Sequence, residues 1–550
     1  MNCTELTEQY RKLDQKCARF YYKLTSKKEF EPYFFAPTEA NLLDAQKEWQ
    51  ELSSEVDALP APDNVYQLVK HHFQDFLESL EFLLQDLDAN PFRDYFGFHE
   101  YFLGVVRLDN RPDLVRHTVL LNRMKHFKIK ASALLKKAQT TLSTEACHNL
   151  AFSLRQEQHA LQLEVAKLIE YFPSFSTDQV GTLADAFFGF HRTLEHIISV
   201  LSQNEISTES IFSDDLNRTV KMDEEAYRTL LQRHHGVHLD ELLEWSKDEI
   251  EKTRAEVFEI ASHLNIPENQ PKTMQEVNAI LFKYEGPCDS PEEMYARADA
   301  YLKRTRALAH EYVNLPEDEY CTCEQIPFYY KDGYPWGGYE GGDFRKPPFH
   351  GKMFLNQYNY QNITDGWIKL NALHEAYPGH HVQYVRAAID TTPETVKIGA
   401  KLTPLLEGTC LRTERAFETL FDEDPFFPLF VAYRRHHGSV RILVDLMMYY
   451  YGATLEEVIQ LYEKELGFDR TTARKQVQAH QNAPGYFTCY YYGMKKISQW
   501  ETASDMTKKE FTELLFSAGY ISMESLELLV GLSAEERQRY FTEFKSLYMK

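Results

Sequence analysis

Through most of the first three-fifths of the chain, apolar residues recur at three- and four-residue spacing, the pattern of helices that bury one face. The windows Tyr66–Leu87, Leu114–Lys137, Ala146–Tyr171, Val180–Leu201 and Leu239–Leu264 all carry it. Turn signals separate them: Leu59-Pro-Ala-Pro-Asp-Asn, Asn90-Pro-Phe, Asn110-Arg-Pro and Phe172-Pro-Ser. Ser290-Pro-Glu-Glu293 reads as a capping box with proline at the first helical position, opening a helix to about Tyr312. Only six of the 23 glycines precede residue 330, which fits long helices with few special turns. No repeat of 20–50 residues is present, so a helical solenoid has no support.

Near Leu315 the pattern changes. The segment Tyr329–Phe344 is rich in glycine and aromatics, and a loop as long as 327–346 in a folded protein is usually functional. The run Lys352-Met-Phe-Leu-Asn356 that follows reads as a strand. Helical spacing then resumes over Ala388–Leu402, Thr403–Leu420, Pro425–Tyr451, Thr454–Leu466, Asp469–Gln481 and Gly485–Trp500. The expected fold is mainly α. A soft division near 314 separates an N-terminal helical region, 1–314, from a catalytic helical region, 315–550, unless the two form one continuous domain.

Composition narrows the function classes. A net charge of -23 argues against a nucleic-acid or anionic-membrane partner. No apolar window reaches the roughly 18 residues of a membrane span, and the most apolar one, Ile442–Met448, contains Asp445. The eight cysteines are scattered, unlike a disulfide framework. The first residues, Met1 to Glu8, lack the basic and apolar segments of a signal peptide, so the expected location is cytoplasmic.

The densest chemistry lies in His374-Glu375-Ala-Tyr-Pro378-Gly379-His380-His381-Val-Gln383. The usual zinc-hydrolase helix places its second histidine four residues after the first, with a glutamate between as base. Here that position is Pro378. On an unbroken helix His381 would share a face with His374 but lie about 10 Å along the axis, and His380 would point elsewhere. Pro378 removes an amide and crowds the preceding turn, and Gly379 permits unusual backbone angles. A kink or π-like bulge could then return one histidine to a shared metal, His380 being preferred over His381. The competing reading, two histidines at a polar helix end, leaves His374 and Glu375 unexplained.

Further candidates follow. Glu407 and Glu414 are seven apart on one helix face, where one could bind metal while the other orients a ligand. Arg441 and Asp445 share a face with His437 and Tyr449. They could pair, or Arg441 could hold a substrate carboxylate with its planar fork. Tyr486 and Tyr490–Tyr492 could donate a phenol to an oxyanion.

This order of motifs resembles domain-of-unknown-function family 885, mostly bacterial proteins that look like zinc-dependent peptidases. Its His-Glu-Ala-x-Pro-Gly-His-His-x-Gln stretch is matched from His374 to Gln383. Its Glu-Gly-Trp-Ala-Leu-Tyr-x-Glu corresponds to Glu407–Glu414, with Thr409 and Arg412 replacing the aromatics. Its Arg-x-x-x-Asp is met by Arg441 and Asp445, with Tyr449 where a histidine is usual. Pro484-Gly485 and Tyr490-Tyr-Tyr-Gly493 match a later motif, with Tyr486 replacing glutamine. These departures fall in the expected substrate region.

The resemblance implies a large helical metallopeptidase-like fold with a small edge sheet beside a deep cleft. It implies one Zn2+ held by His374, His380 or His381, and Glu407, with Glu375 as general base. Arg441 and Tyr490 would steady an oxyanion or a terminal carboxylate, and Glu414, Asp445 and Gln383 would support the ligands. The substrate would be a short peptide or other small amide. Two alternatives remain open: a non-haem iron oxygenase, because two histidines and a carboxylate also suit iron, and a non-catalytic binding protein on the same scaffold. The sequence sets no oligomeric state.

Overall fold

Several helices in this chain start where a hydroxyl or carboxylate accepts from the first free amides. Ser176, Thr273, Thr454 and Thr507 each form a reciprocal capping box. Ser290 accepts from the Glu293 amide, with Pro291 at the first helical position, and the helix runs Pro291–Tyr312. The computed structural model describes residues 3–25, 35, 37–89, 111–166, 168–202, 215–326, 331, 336–341, 347–390 and 392–544. Within them the protein is mainly α with one three-stranded sheet. Most of loop 327–346 lies outside the described residues. No helix among the described residues is long and apolar enough to cross a membrane.

The chain divides into two compact units, one of Met1–Pro60 with Phe76–Ser213, the other of Ala61–Asp75 with Asp214–Lys550. The boundary expected near 314 falls inside the second unit. No seam forms there because Arg306 and His310 reach across to the buried Glu319, at 2.7 and 2.8 Å. In the first unit the helices Asp113–Thr141, Thr144–Val165 and Thr177–Leu201 coincide closely with the apolar windows. Their core joins Leu120, Phe127, Leu154, Leu183 and Leu194.

The second unit carries the candidate site. Its relevant helices are α1 (Leu239–Ser262), α2 (Pro291–Tyr312), α3 (Asp365–Asn371), α4 (His380–Ile389), α5 (Thr403–Ala416), α6 (Phe427–Leu446) and α7 (Thr488–Ala503). The strands are β1 (Glu319–Gln325), β2 (Gly337–Glu340) and β3 (Phe349–Leu355). β3 is central. It pairs parallel with β1, Glu319 opposite Phe349, and antiparallel with β2, Gly337 opposite Leu355. The helix expected over Ala388–Leu402 is instead two, α4 and the short Glu394–Ile398. Pro393 causes the break, since it disfavours helical geometry in the residue before it.

α5 and α7 pack backbone to backbone. A Cβ on Gly408 would run into the Gly493 backbone, and one on Gly493 into the Pro404 carbonyl. This close approach brings Glu407 of α5 against the tyrosines at the start of α7.

Candidate metal centre

α3 passes directly into a π turn, Ala372–Ala376, and the chain leaves the helix at Tyr377. The Tyr377 amide donates to the Ala372 carbonyl at 2.8 Å, the five-residue spacing of a π bulge. The Tyr377–Pro378 peptide is cis. Gly379 fits because a Cβ there would collide with the carbonyls of Leu373 and His374. A new helix, α4, then starts at His380. The helix is therefore broken between His374 and His380, and their rings stand 5.1 Å apart, nearly perpendicular.

Glu407 lies between them. Its Oε2 is 3.4 Å from His374 Nε2 and 3.4 Å from His380 Nε2. That oxygen is buried and has no hydrogen-bond partner. Two ligands of one tetrahedral zinc, each bonded at about 2.0–2.1 Å, stand about 3.3 Å apart. Each of these two separations is that of neighbouring donors around one ion, and the donor types present, two imidazoles and a carboxylate, fit a divalent metal.

The opposite ring nitrogens are tied down. His374 Nδ1 meets Glu414 Oε1 at 2.7 Å, and His380 Nδ1 meets Gln383 Oε1 at 2.8 Å. Both partners are acceptors, so both Nδ1 atoms carry hydrogen and both Nε2 atoms face Glu407. Gln383 is itself held by donating to the Leu406 carbonyl at 3.0 Å. Cys410 Sγ is a further potential donor: one ligand atom each of His374, His380 and Cys410 lie within 4.8 Å of one another. It lies 3.5 Å from His380 Nδ1, on the far side of the ring from Glu407, so it supports the ring from behind.

The electrostatics point the same way. Burial opposes charge on His374, but the neighbouring carboxylates of Glu407 and Glu414 outweigh it and raise the group to about 10. His380 is also raised against burial, by the neighbouring Cys410 and Glu407. Burial would raise Glu407, yet the two histidines hold it well below the carboxylate range. The pocket around Glu407 favours positive charge, which a divalent ion would supply.

His381, the other candidate ligand, turns away. Its Nε2 meets Glu319 Oε2 at 2.8 Å and its Nδ1 meets Tyr339 Oη at 2.9 Å. Both nitrogens are used on the β-sheet side, leaving no lone pair for the cluster. Glu375 sits beside His374 in the π turn, half-buried. It has no hydrogen-bond or ion-pair partner among the described residues.

Asp445 does not reach the ligands. It accepts from Tyr227 Oη at 2.7 Å, His480 Nδ1 at 2.8 Å and the Gly485 amide at 3.1 Å. This anchors the turn that presents Tyr486, whose hydroxyl donates to Glu407 Oε1 at 2.6 Å and lies 3.2 Å from that of Tyr490. Tyr490 stacks on His374 with ring centres 6.2 Å apart. Arg441 lies against Tyr490, its Cζ 5.1 Å from the ring centre. Of the family-pattern departures, Tyr486 alone contacts a candidate ligand. Arg412 is bonded to Glu501 and Thr512, and Tyr449 donates to the His480 carbonyl. Replacing Tyr486 with phenylalanine is expected to weaken zinc binding by about 10–100-fold with the fold intact. Titration against a chromogenic chelator, with circular dichroism as control, measures this.

A second cluster, Glu285, Asp365 and Asp424, brings three carboxylates together. Its cation is already present as Lys369, 2.7 Å from Asp365, 3.6 Å from Glu285 and bonded to Asp424. It is a buried ion cluster rather than an open metal site. Burial, offset in part by Lys369, pushes Glu285 up to about 8.

Fold and site together define a mainly helical protein with two histidines and a glutamate converging below a small mixed sheet. The family model described as "Bacterial protein of unknown function (DUF885)" matches residues 29–530, and the chain belongs to that family. The fold is similar to that of a presumed lipoprotein from Colwellia psychrerythraea, at TM-score 0.74 and 16% identity over 99% of both chains. It is also similar to a presumed lipoprotein of unknown function from Shewanella oneidensis, at TM-score 0.69 and 14% identity over 96% of this chain and 99% of that one. No curated protein matches.

Proposed function

We propose that this chain is a metal-dependent, most simply zinc-dependent, hydrolase of a small amide or peptide. The observation that carries the reading is the orphaned, buried Glu407 Oε2, flanked at 3.4 Å by His374 Nε2 and His380 Nε2. His374, His380 and Glu407 would hold a divalent ion there, which would supply Lewis acidity and make an attacking water more acidic. Glu375 accepts a proton from the attacking water and returns it to the leaving nitrogen as the C–N bond breaks. Tyr490, stacked on His374, offers a phenol near the scissile group, and Tyr486 keeps Glu407 aimed. Glu414 and Gln383 fix the ring faces.

Elemental analysis of protein purified in metal-scavenged buffer is expected to find about one zinc per chain. A panel of peptides and N-acyl amides, run with and without chelator, should show cleavage that chelation abolishes and zinc restores. Protein that takes up no metal overturns the reading. Iron with oxygen uptake replaces it with an oxygenase.

A further inference from the structure

One face of α6 carries two buried guanidinium groups and a buried imidazole that the proposed chemistry at the ligands does not use. Arg434, His437 and Arg441 stand at i, i+3 and i+7, and so share that face. The two arginines are each 6% exposed and His437 is 1% exposed. Arg434 Nε and Nη1, both His437 nitrogens and Arg441 Nε have no hydrogen-bond partner. Among the described residues no carboxylate pairs with Arg441. The only one near Arg434 is Glu414, at 3.8 Å, and Glu414 is already engaged by His374. Buried charge of one sign without a counter-charge is costly, and proteins ordinarily pair it. Aromatic faces offset part of that cost: Arg441 lies over Phe487 and Tyr490, and Arg434 over Tyr490 and Trp367. None of these contacts supplies a negative charge.

The position of this face is also informative. Tyr490 is the common neighbour of both guanidinium groups and of His374. At its other end the face borders a cleft of about 620 Å³ lined by Trp367, Phe430, Phe468, Lys331 and Lys475. Phe430 is one turn before Arg434, and the His437 ring is 5.5 Å from that of Phe468. The one carboxylate lining the cleft among the described residues, Asp469, accepts from the amides of Thr471 and Thr472.

We propose that Arg434, His437 and Arg441 form a carboxylate subsite, so that the preferred substrate is an amide bearing a free carboxylate, such as an N-acyl amino acid or a short peptide cleaved near its C-terminus. Guanidinium matches a carboxylate bidentately, which suits this role better than a point charge. The cleavage itself rests on the hydrolase reading; the binding does not.

The test uses the full zinc-loaded chain carrying Glu375→Gln, titrated calorimetrically with N-benzoylglycine and with its uncharged amide. The carboxylate is expected to bind about tenfold tighter or better. Arg441→Met should erase that preference, and Arg434→Gln should reduce it, while zinc content is unchanged. Arg441→Met should also melt no lower than its parent, because it removes an uncompensated buried charge while keeping bulk. Equal or undetectable binding of both probes, or a preference that survives Arg441→Met, overturns the subsite. Selective binding without cleavage by the native chain upholds the subsite and removes the hydrolase reading. Cleavage of both probes with equal kcat/KM upholds the hydrolase and overturns the subsite.

Discussion

Replacing Glu375 with glutamine is expected to lower kcat on an amide substrate by about 10²–10⁴-fold while zinc stays bound. The expectation comes from how the chain treats the four carboxylates nearest the histidines. Glu407 is clamped by Tyr486, Glu414 by His374, and Glu319 by Arg306, His310, Tyr377 and His381. Glu375 has no such partner among the described residues, stays half-buried, and follows His374 in the π turn. A carboxylate left free beside a candidate ligand is available to accept and return a proton. Glutamine keeps its size and removes that capacity. Steady-state kinetics with parallel metal analysis decides the matter. Unchanged turnover would show that Glu375 is not the base, and loss of zinc would make it a ligand.

The helices were legible because their apolar spacing repeats over twenty or more residues and their starts carry capping side chains. The break in the helix that carries His374 was legible too. Pro378 and Gly379 forbid a regular turn, and His374 and His380 cannot meet without a break. What the sequence left open was the choice between His380 and His381. These adjacent residues differ only in what each nitrogen finds, and the deciding partner, Glu319, lies 62 positions earlier on a strand. Contacts that distant have no local signature. The same holds for Arg412 and Tyr449. As departures from a family pattern they pointed to the substrate region, yet they are bonded to Glu501 and to the His480 carbonyl. Sharing a helix face with Arg441 says nothing of the partners of Asp445, which sit on three other segments. The boundary near 314 followed a change in composition. Composition changes there because a sheet begins, and Glu319 on that sheet is bonded back to α2.

His380→Ala is expected to abolish zinc binding and with it all metal-dependent turnover, whereas His381→Ala should retain about one zinc per chain. The two substitutions remove the same ring from adjacent positions, so the contrast isolates geometry from composition. His380 Nε2 faces Glu407, while both nitrogens of His381 are bonded to Glu319 and Tyr339. His381→Ala should instead cost stability, by about 1–3 kcal/mol, because it strips one donor from a buried carboxylate. Its signature is in acid. Burial raises Glu319, but hydrogen bonds from His381 and Tyr377 outweigh it and hold the group at about 2. A carboxylate depressed in the folded state stabilises it fully above its unfolded value, about 4.3, and loses that contribution as pH falls through about 2. Without His381 the folded value rises towards the unfolded one, so the stabilisation shrinks at neutral pH and acid unfolding begins at higher pH. Zinc content measured beside a pH series of melting temperatures separates the two residues. Loss of zinc from His381→Ala with retention in His380→Ala would reverse the ligand assignment.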